Sequence, residues 1–241
     1  MSIWKTIHDS LLQDIQNGQY GPGDKLPTEA ALAARFGVNR HTVRRALAEL
    51  AAQDLVISRR GAGVFVQHAP TDYPLGARVR FHQNLRAAGK IPGKKMLAFE
   101  TRRANAQEAQ ALALEEGAKV HVYDGLSLSD GHPIAVFRSI FPAERFPEMQ
   151  QALTEMNSVT AALAHHGVAD FTRAETRLSA RPCPATQARH LGLRDGAPAL
   201  FSEGINVDRQ GRPVELGLTW FAGERVTLTL EGTETAHTSH K

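Results

Sequence analysis

The stretch from Asn39 to Leu50 constrains this chain most. Val43, Ala46, Leu47 and Leu50 recur at i, i+3, i+4 and i+7, so one stripe of a helix faces a core while Arg40, Arg44 and Arg45 project from other faces. Asn39 is a good N-cap, because its side-chain oxygen accepts from the free N–H groups of the first turn, and Gly37 suits the left-handed close of an earlier helix. A helix, a tight turn and a second, Arg-studded helix make helix-turn-helix geometry. In such a unit the start of the second helix enters the major groove of DNA, where a guanidinium bonds guanine O6 and N7 together and where His41 and Thr42 reach bases or phosphates. A lone charged helix is more often a solvated surface, so the flanking chain has to decide.

The flanks favour DNA. Leu55–Ser58 and Val64–Val66 are short β-runs joined by Arg59, Arg60, Gly61, Ala62 and Gly63, which predicts a hairpin wing with a basic tip. Arg59 and Arg60 there reach phosphates or a minor groove, and Gly61 lets the backbone approach the duplex closely. Upstream, Trp4, Ile7, Leu11 and Ile15 mark one face of a first helix that ends at Gly18; residues 21–27 form a turn-rich connector, and Thr28 caps a second helix, Glu29 to Phe36. Residues 39–66 hold five arginines against Glu49 and Asp54, whereas residues 71–241 balance 20 basic with 19 acidic side chains. Within a net charge of only +3 the basic excess is local, as a nucleic-acid footprint requires.

At 241 residues the chain can bury one large or two ordinary cores. No apolar run approaches the roughly 18 to 20 residues of a membrane span, so no membrane partner is expected and a cytoplasmic location is. A single cysteine, Cys183, excludes an internal disulfide and any Cys-based zinc module; between two prolines it reads as a buried structural thiol. A composition break around Pro70, Asp72, Pro74 and Gly76 separates a DNA-binding domain at 1–69 and a linker at 70–77 from a second domain at 78–241.

Residues 4–66 resemble the winged helix-turn-helix domain of the GntR family of bacterial transcription regulators, through Pro22–Gly23–Asp24–Lys25–Leu26–Pro27–Thr28–Glu29, Ala33 with Arg35–Phe36–Gly37–Val38, Arg40–Leu47 and the wing Arg60–Val66. The resemblance implies a homodimer on a pseudo-palindromic double-stranded operator, with contacts carried onto Arg40, His41, Thr42, Arg44, Arg60 and Gly61. Many relatives have an arginine directly after the glutamate that opens the second helix; this chain has Ala30, which removes that contact.

The remainder carries an internal repeat. Leu112, Leu114, Gly117 and Gly125 match Leu191, Leu193, Gly196 and Gly204 at one offset, and Gly131 and Pro133 match Gly211 and Pro213 after one extra residue. Each copy reads as a short helix, a strand, a Gly-centred turn and a returning strand. The expected class is α+β, a single antiparallel sheet assembled from two similar halves and covered by helices near 80–88, 105–114, 158–166 and 185–191. His165 and His166 are adjacent and make a poor metal pair, and no phosphate loop, dinucleotide fingerprint or paired-carboxylate signature is present, so no metal, no cofactor and no catalytic site is expected. Arg138 and Glu215, on returning strands among apolar neighbours, suit either a ligand pocket or local charge pairs; Arg80, Phe81 and His82 begin a helix whose N-terminus favours an anion.

About residues 78–231 resemble the ligand-sensing domain of the HutC branch of the same family, a fold similar to chorismate lyase, through Arg80–Phe81, Gly89–Lys90–Ile91–Pro92, Asp130–Ala135 and Gly211–Glu215. Thr71–Pro74, Val79–Leu85, Asp170–Leu178 and Thr219–Gly223 look like regulators of phosphonate-metabolism operons. The resemblance implies a ligand-responsive repressor released by a small phosphorus-containing anion. Sugar-phosphate sensors carry arginines where this chain has Gly125 and Ser127, which shifts the cationic role to groups such as Arg80, Arg138 and Arg177, with Glu215 as acceptor and Ser158 as donor. The other reading is an enzyme on the chorismate-lyase-like domain with an appended DNA anchor.

Overall fold

The computed structural model describes residues 2–67, 71–75, 81–87 and 89–230, and divides into two compact units, Met1–Ala69 and Pro70–Lys241. In the first, α1 (Ile3–Gln16), α2 (Glu29–Phe36) and α3 (Arg40–Ala52) precede the antiparallel hairpin β1 (Val56–Arg59) and β2 (Gly63–Val66). Each helix start has its sequence cause. Thr28 Oγ1 accepts from Ala31 N at 3.2 Å, Gly37 turns left-handed at φ 64°, and Asn39 Oδ1 accepts from Thr42 N at 2.9 Å. Removing that last cap, Asn39→Ala, is expected to cost about 1 kcal/mol, read as a lowered thermal midpoint. The apolar stripe Val43, Ala46, Leu47, Leu50 is buried against Ile7, Leu11 and Leu32. The 21–27 connector also pairs with the wing, Leu26 N donating to Val64 O at 2.8 Å and Val66 N to Asp24 O at 2.9 Å.

The second unit contains β3 (Thr71–Pro74), α4 (Phe81–Ala87), β4 (Pro92–Arg103), α5 (Ala106–Leu112), β5 (Lys119–Ser129), β6 (His132–Pro142), α6 (Met149–Met156), α7 (Val159–His165), β7 (Phe171–Pro182), α8 (Ala185–Leu191), β8 (Pro198–Asp208), β9 (Pro213–Ala222) and β10 (Val226–Thr229). Six strands form one antiparallel sheet in the order β4-β5-β6-β9-β8-β7. The repeat is therefore β-α-β-β, made once by β4-α5-β5-β6 and again by β7-α8-β8-β9, with the two halves meeting at β6 and β9. Its helices were expected, but α6 and the long outer strands β4 and β7 were not. Part of the expected linker is instead β3, paired in parallel with β10.

Strand alternation gives the sheet two different faces. Phe137 and Phe141 point toward a cluster with Met149 and Leu153 of α6 and Val159 and Leu163 of α7. Val136 and Ile140 point the other way, into clusters with α8 and α5. On the α6–α7 face, Tyr73 and Leu75 of the β3 segment pack with Ala135 and Phe221.

Candidate functional site

In the first unit the predicted contacts separate into two groups. Arg40, His41, Arg44, Arg45, Arg60 and Gly61 are exposed, and Thr42 and Arg59 are half-buried. Arg44 is also held: its Nε and Nη2 donate to the two carboxylate oxygens of Glu29, at 3.0 and 2.7 Å. That hydrogen-bonded pairing keeps the Glu29 carboxyl below its usual range, yet 61% of the Arg44 side chain remains exposed. Arg45, Arg59 and Thr42 also have partners within the unit. Arg45 lies 4.7 Å over the Trp4 ring, because the step of about 100° per residue turns it from the Arg44 side toward α1. Arg59 lies 5.0 Å over Phe65, and the Thr42 hydroxyl donates to Asn39 Oδ1 at 3.0 Å. Arg40, Arg44, Arg45 and Arg60 are thus the exposed basic set, with Arg44 and Arg45 oriented by neighbours in the unit.

In the second unit a cavity of about 110 Å³ lies on the α6–α7 face of the sheet. It is smaller than the roughly 300–1,000 Å³ of drug-sized ligand sites and so suits a compact molecule. Both halves of the repeat contribute: Lys94, Ser127, Phe137 and Ser139 from the first, Arg173, Ser202, Asn206, Glu215 and Thr219 from the second. Tyr73 and Leu75 of the β3 segment and Ser158 at the cap of α7 complete the wall. Glu215 is buried, its Oε1 accepting from Ser139 Oγ at 2.5 Å and its Oε2 from Asn206 Nδ2 at 2.6 Å. Asn206 Oδ1 in turn accepts from Arg173 Nε at 2.8 Å. The Lys94 ammonium stands 4.8 Å over the Phe137 ring, and burial pushes it down to about 8 against the opposing charge of Glu215. Burial likewise lowers Arg173, with Glu215 again opposing, while it raises the Tyr73 hydroxyl. Charged groups so placed, beside buried hydroxyls, can hold a small polar or charged molecule.

Of the expected ligand contacts, Ser158 and Glu215 lie at this cavity, and Arg138 and Arg177 do not. Arg138 follows Phe137 and precedes Ser139, so alternation sends it through to the opposite face. There its Nε and Nη2 grip Asp124 at 2.7 and 2.8 Å, in a second cleft of about 500 Å³ beside α8. Arg177 is four residues from Arg173 and would share its face in a regular strand. A bulge at Ala174 reverses the alternation, pairing Arg173 with Asn206 but Arg177 with Glu203, and Arg177 is left 73% exposed beside Glu175 at 2.6 Å. Arg80 and the side chains of Phe81 and His82 lie outside the described residues.

Lys94, Arg173, Asn206, Ser139 and Tyr73 were missed, although the repeat contained the signal for two of them. Lys94 and Arg173 are separated by 79 positions, as are Gly125 and Gly204, and occupy equivalent places opposite Ser127 and Asn206. The repeated glycines make room for Arg173 and for the ring under Lys94: a Cβ on Gly204 falls 1.4 Å from Arg173 Nη1, and one on Gly125 falls 2.3 Å from the Phe137 ring.

Residues 4–66 match the family model for bacterial regulatory proteins of the gntR family, and residues 87–227 match that of the UTRA domain. An uncharacterized HTH-type transcriptional regulator of Rhizobium meliloti (strain 1021) is 38% identical over 232 residues, 96% of this chain and 95% of that protein. The probable transcriptional regulator PhnF of Escherichia coli (strain K12) is 32% identical over 230 residues, 95% and 94% of the two chains. The crystal structure of PhnF from Mycobacterium smegmatis superposes with a TM-score of 0.67 at 25% identity, covering 95% of this chain and 99% of that one. The chain belongs to the GntR family of bacterial regulatory proteins and is a transcription regulator whose second unit, a UTRA domain, senses a small molecule.

Proposed function

We propose that this regulator is a HutC-branch repressor of phosphonate uptake or metabolism genes, which binds a pseudo-palindromic operator as a homodimer and releases it when a small phosphorus-containing anion enters the UTRA cavity. The observation that carries this reading is the pair Lys94 and Arg173, two cations enclosed with buried hydroxyls in a compact cavity. The cavity binds without turnover. Tyr73 and Leu75 line it, and in sequence they lie just beyond the last residues of the first unit. A ligand that reorders this segment changes how the two DNA-binding units of a dimer can be presented, and half-sites roughly 34–36 Å apart tolerate little change. Operator binding is then lost through geometry.

The experiment is operator release followed by fluorescence anisotropy, with alkylphosphonates, phosphate monoesters and inorganic phosphate as ligands. Release by a phosphonate at concentrations that leave an unrelated DNA-binding protein bound is the expected result. No release by any phosphorus anion, or turnover of one by the protein, overturns the reading.

Anion affinity is also expected to depend on pH in one direction. Below about pH 8 Lys94 is already protonated and contributes no pH dependence; above it, binding must take up a proton, and affinity falls by up to about tenfold per unit. Arg173 and Tyr73 keep their charge states across pH 7 to 9, and a phosphate monoester, whose second proton leaves at about pH 6, is already a dianion there, so titration calorimetry with that ligand isolates Lys94. Unchanged affinity between pH 7 and 9 rules out the Lys94 contact.

A further inference from the structure

The cavity contains a carboxylate that an anion site does not need. Lys94 and Arg173 bring two positive charges and Glu215 one negative, so its charged lining sums to about +1. A carboxylate placed there only to neutralise Arg173 would meet the guanidinium directly, as Asp124 meets Arg138 through two bonds of 2.7 and 2.8 Å. Instead the Asn206 amide stands between them, accepting from Arg173 at 2.8 Å and donating to Glu215 at 2.6 Å. The two charges are held apart, each oriented by the same side chain. Ser139 fixes the other carboxylate oxygen, and each oxygen keeps a further lone pair for another donor.

We propose that the ligand is a compact zwitterion, a short aminoalkyl phosphonate or phosphate whose anionic head meets Lys94 and Arg173 and whose primary ammonium donates to Glu215. Charge balance requires both ends. A fully ionised phosphonate brings two negative charges, which would leave the cavity and its ligand at −1; one ammonium on the ligand returns the sum to zero, and an enclosed site strongly favours neutrality. The polar lining is distributed accordingly. Hydroxyls of Ser127, Ser202 and Thr219 supply donors for phosphonate oxygens, and the acceptor strength is concentrated at Glu215.

This inference rests on the phosphonate reading of the cavity, and the experiment separates the two. Titration calorimetry on the full-length protein compares 2-aminoethylphosphonate with propylphosphonate, which has a methyl group in place of the ammonium. The amine is expected to bind roughly tenfold or more tightly, because a site built to accept from it leaves the carboxylate unmatched when a methyl replaces it. In Glu215→Gln the preference is expected to fall within about threefold, since a neutral amide no longer attracts the ammonium. Equal binding of the two ligands to the unaltered protein, a comparison that needs no variant, overturns the zwitterion proposal and leaves the phosphonate reading standing. So does a preference retained undiminished in Glu215→Gln. Binding of neither overturns the phosphonate reading, and the zwitterion with it.

Discussion

Replacing Arg173 by alanine is expected to weaken effector binding by about 100-fold or more. Lys94 and Arg173 are the two basic side chains among the described residues that line the cavity. Of these, Lys94 is lowered to about 8, so a fraction of it is neutral at the upper end of the physiological range, whereas an arginine stays charged throughout. Truncating one partner of an enclosed, hydrogen-bonded charge pair costs about 2–5 kcal/mol, and each 1.4 kcal/mol is tenfold in affinity. The loss here belongs at the upper part of that range, because Asn206 also loses the donor that orients it toward Glu215. Gly204→Ala is expected to reproduce the effect without removing any charge. Its Cβ would fall 1.4 Å from Arg173 Nη1 and 2.4 Å from Cζ, so the flexible arginine has to leave its place while the strand survives. Arg138→Ala and Arg177→Ala, which act on the other side of the sheet, should change effector affinity by less than about twofold. Calorimetry on the four variants, with circular dichroism to verify folding, separates these outcomes. Arg173→Ala within threefold of the unaltered protein would remove the cavity from consideration as the anion site.

The contrast between Arg173 and Arg177 shows what the sequence could and could not reveal. Helix-turn-helix and wing were legible because their signals are local: an N-cap at Asn39, a left-handed glycine at 37, apolar residues at helical spacing, and a glycine turn between β-runs. The two-half sheet was legible from the repeated leucines and glycines, and its strand order follows from joining the halves at β6 and β9. The cavity was less legible because membership depends on which face each strand residue takes. One extra residue at Ala174 exchanges the sides of everything beyond it, and nothing in the neighbouring side chains announces a bulge. Glu215 was visible on a returning strand and Ser158 through resemblance, but the Asn206 bridge joins residues 33 and 9 positions apart through the pairing of β7, β8 and β9. In the first unit, too, charge counting found the arginines without showing that Trp4 and Phe65 occupy two of them.

With Arg45 turned toward Trp4, base recognition falls to the start of α3, where Arg40 and Arg44 lie one turn apart on an exposed face. Arg44 presents the side formed by Nε and Nη2 to Glu29, which leaves the end-on N–H groups of Nη1 and Nη2 directed outward. A guanidinium fixed in this way has lost its rotamer freedom before it meets guanine, and two parallel N–H groups are what O6 and N7 require. The double variant Arg40→Ala/Arg44→Ala is therefore expected to lose roughly 2–6 kcal/mol of operator affinity, about 30-fold at the least, with a flatter salt dependence if either side chain contacts a phosphate. Glu29→Ala supplies a test of sign. Through-space electrostatics alone predicts tighter binding, because a negative charge is removed near the phosphates; loss of orientation at Arg44 predicts weaker binding. The ion pair is exposed and contributes little stability, so the orientation effect should prevail by a few-fold. Anisotropy titrations at matched salt measure both variants. A double variant that binds operator within threefold of the original would mean that α3 does not carry the recognition.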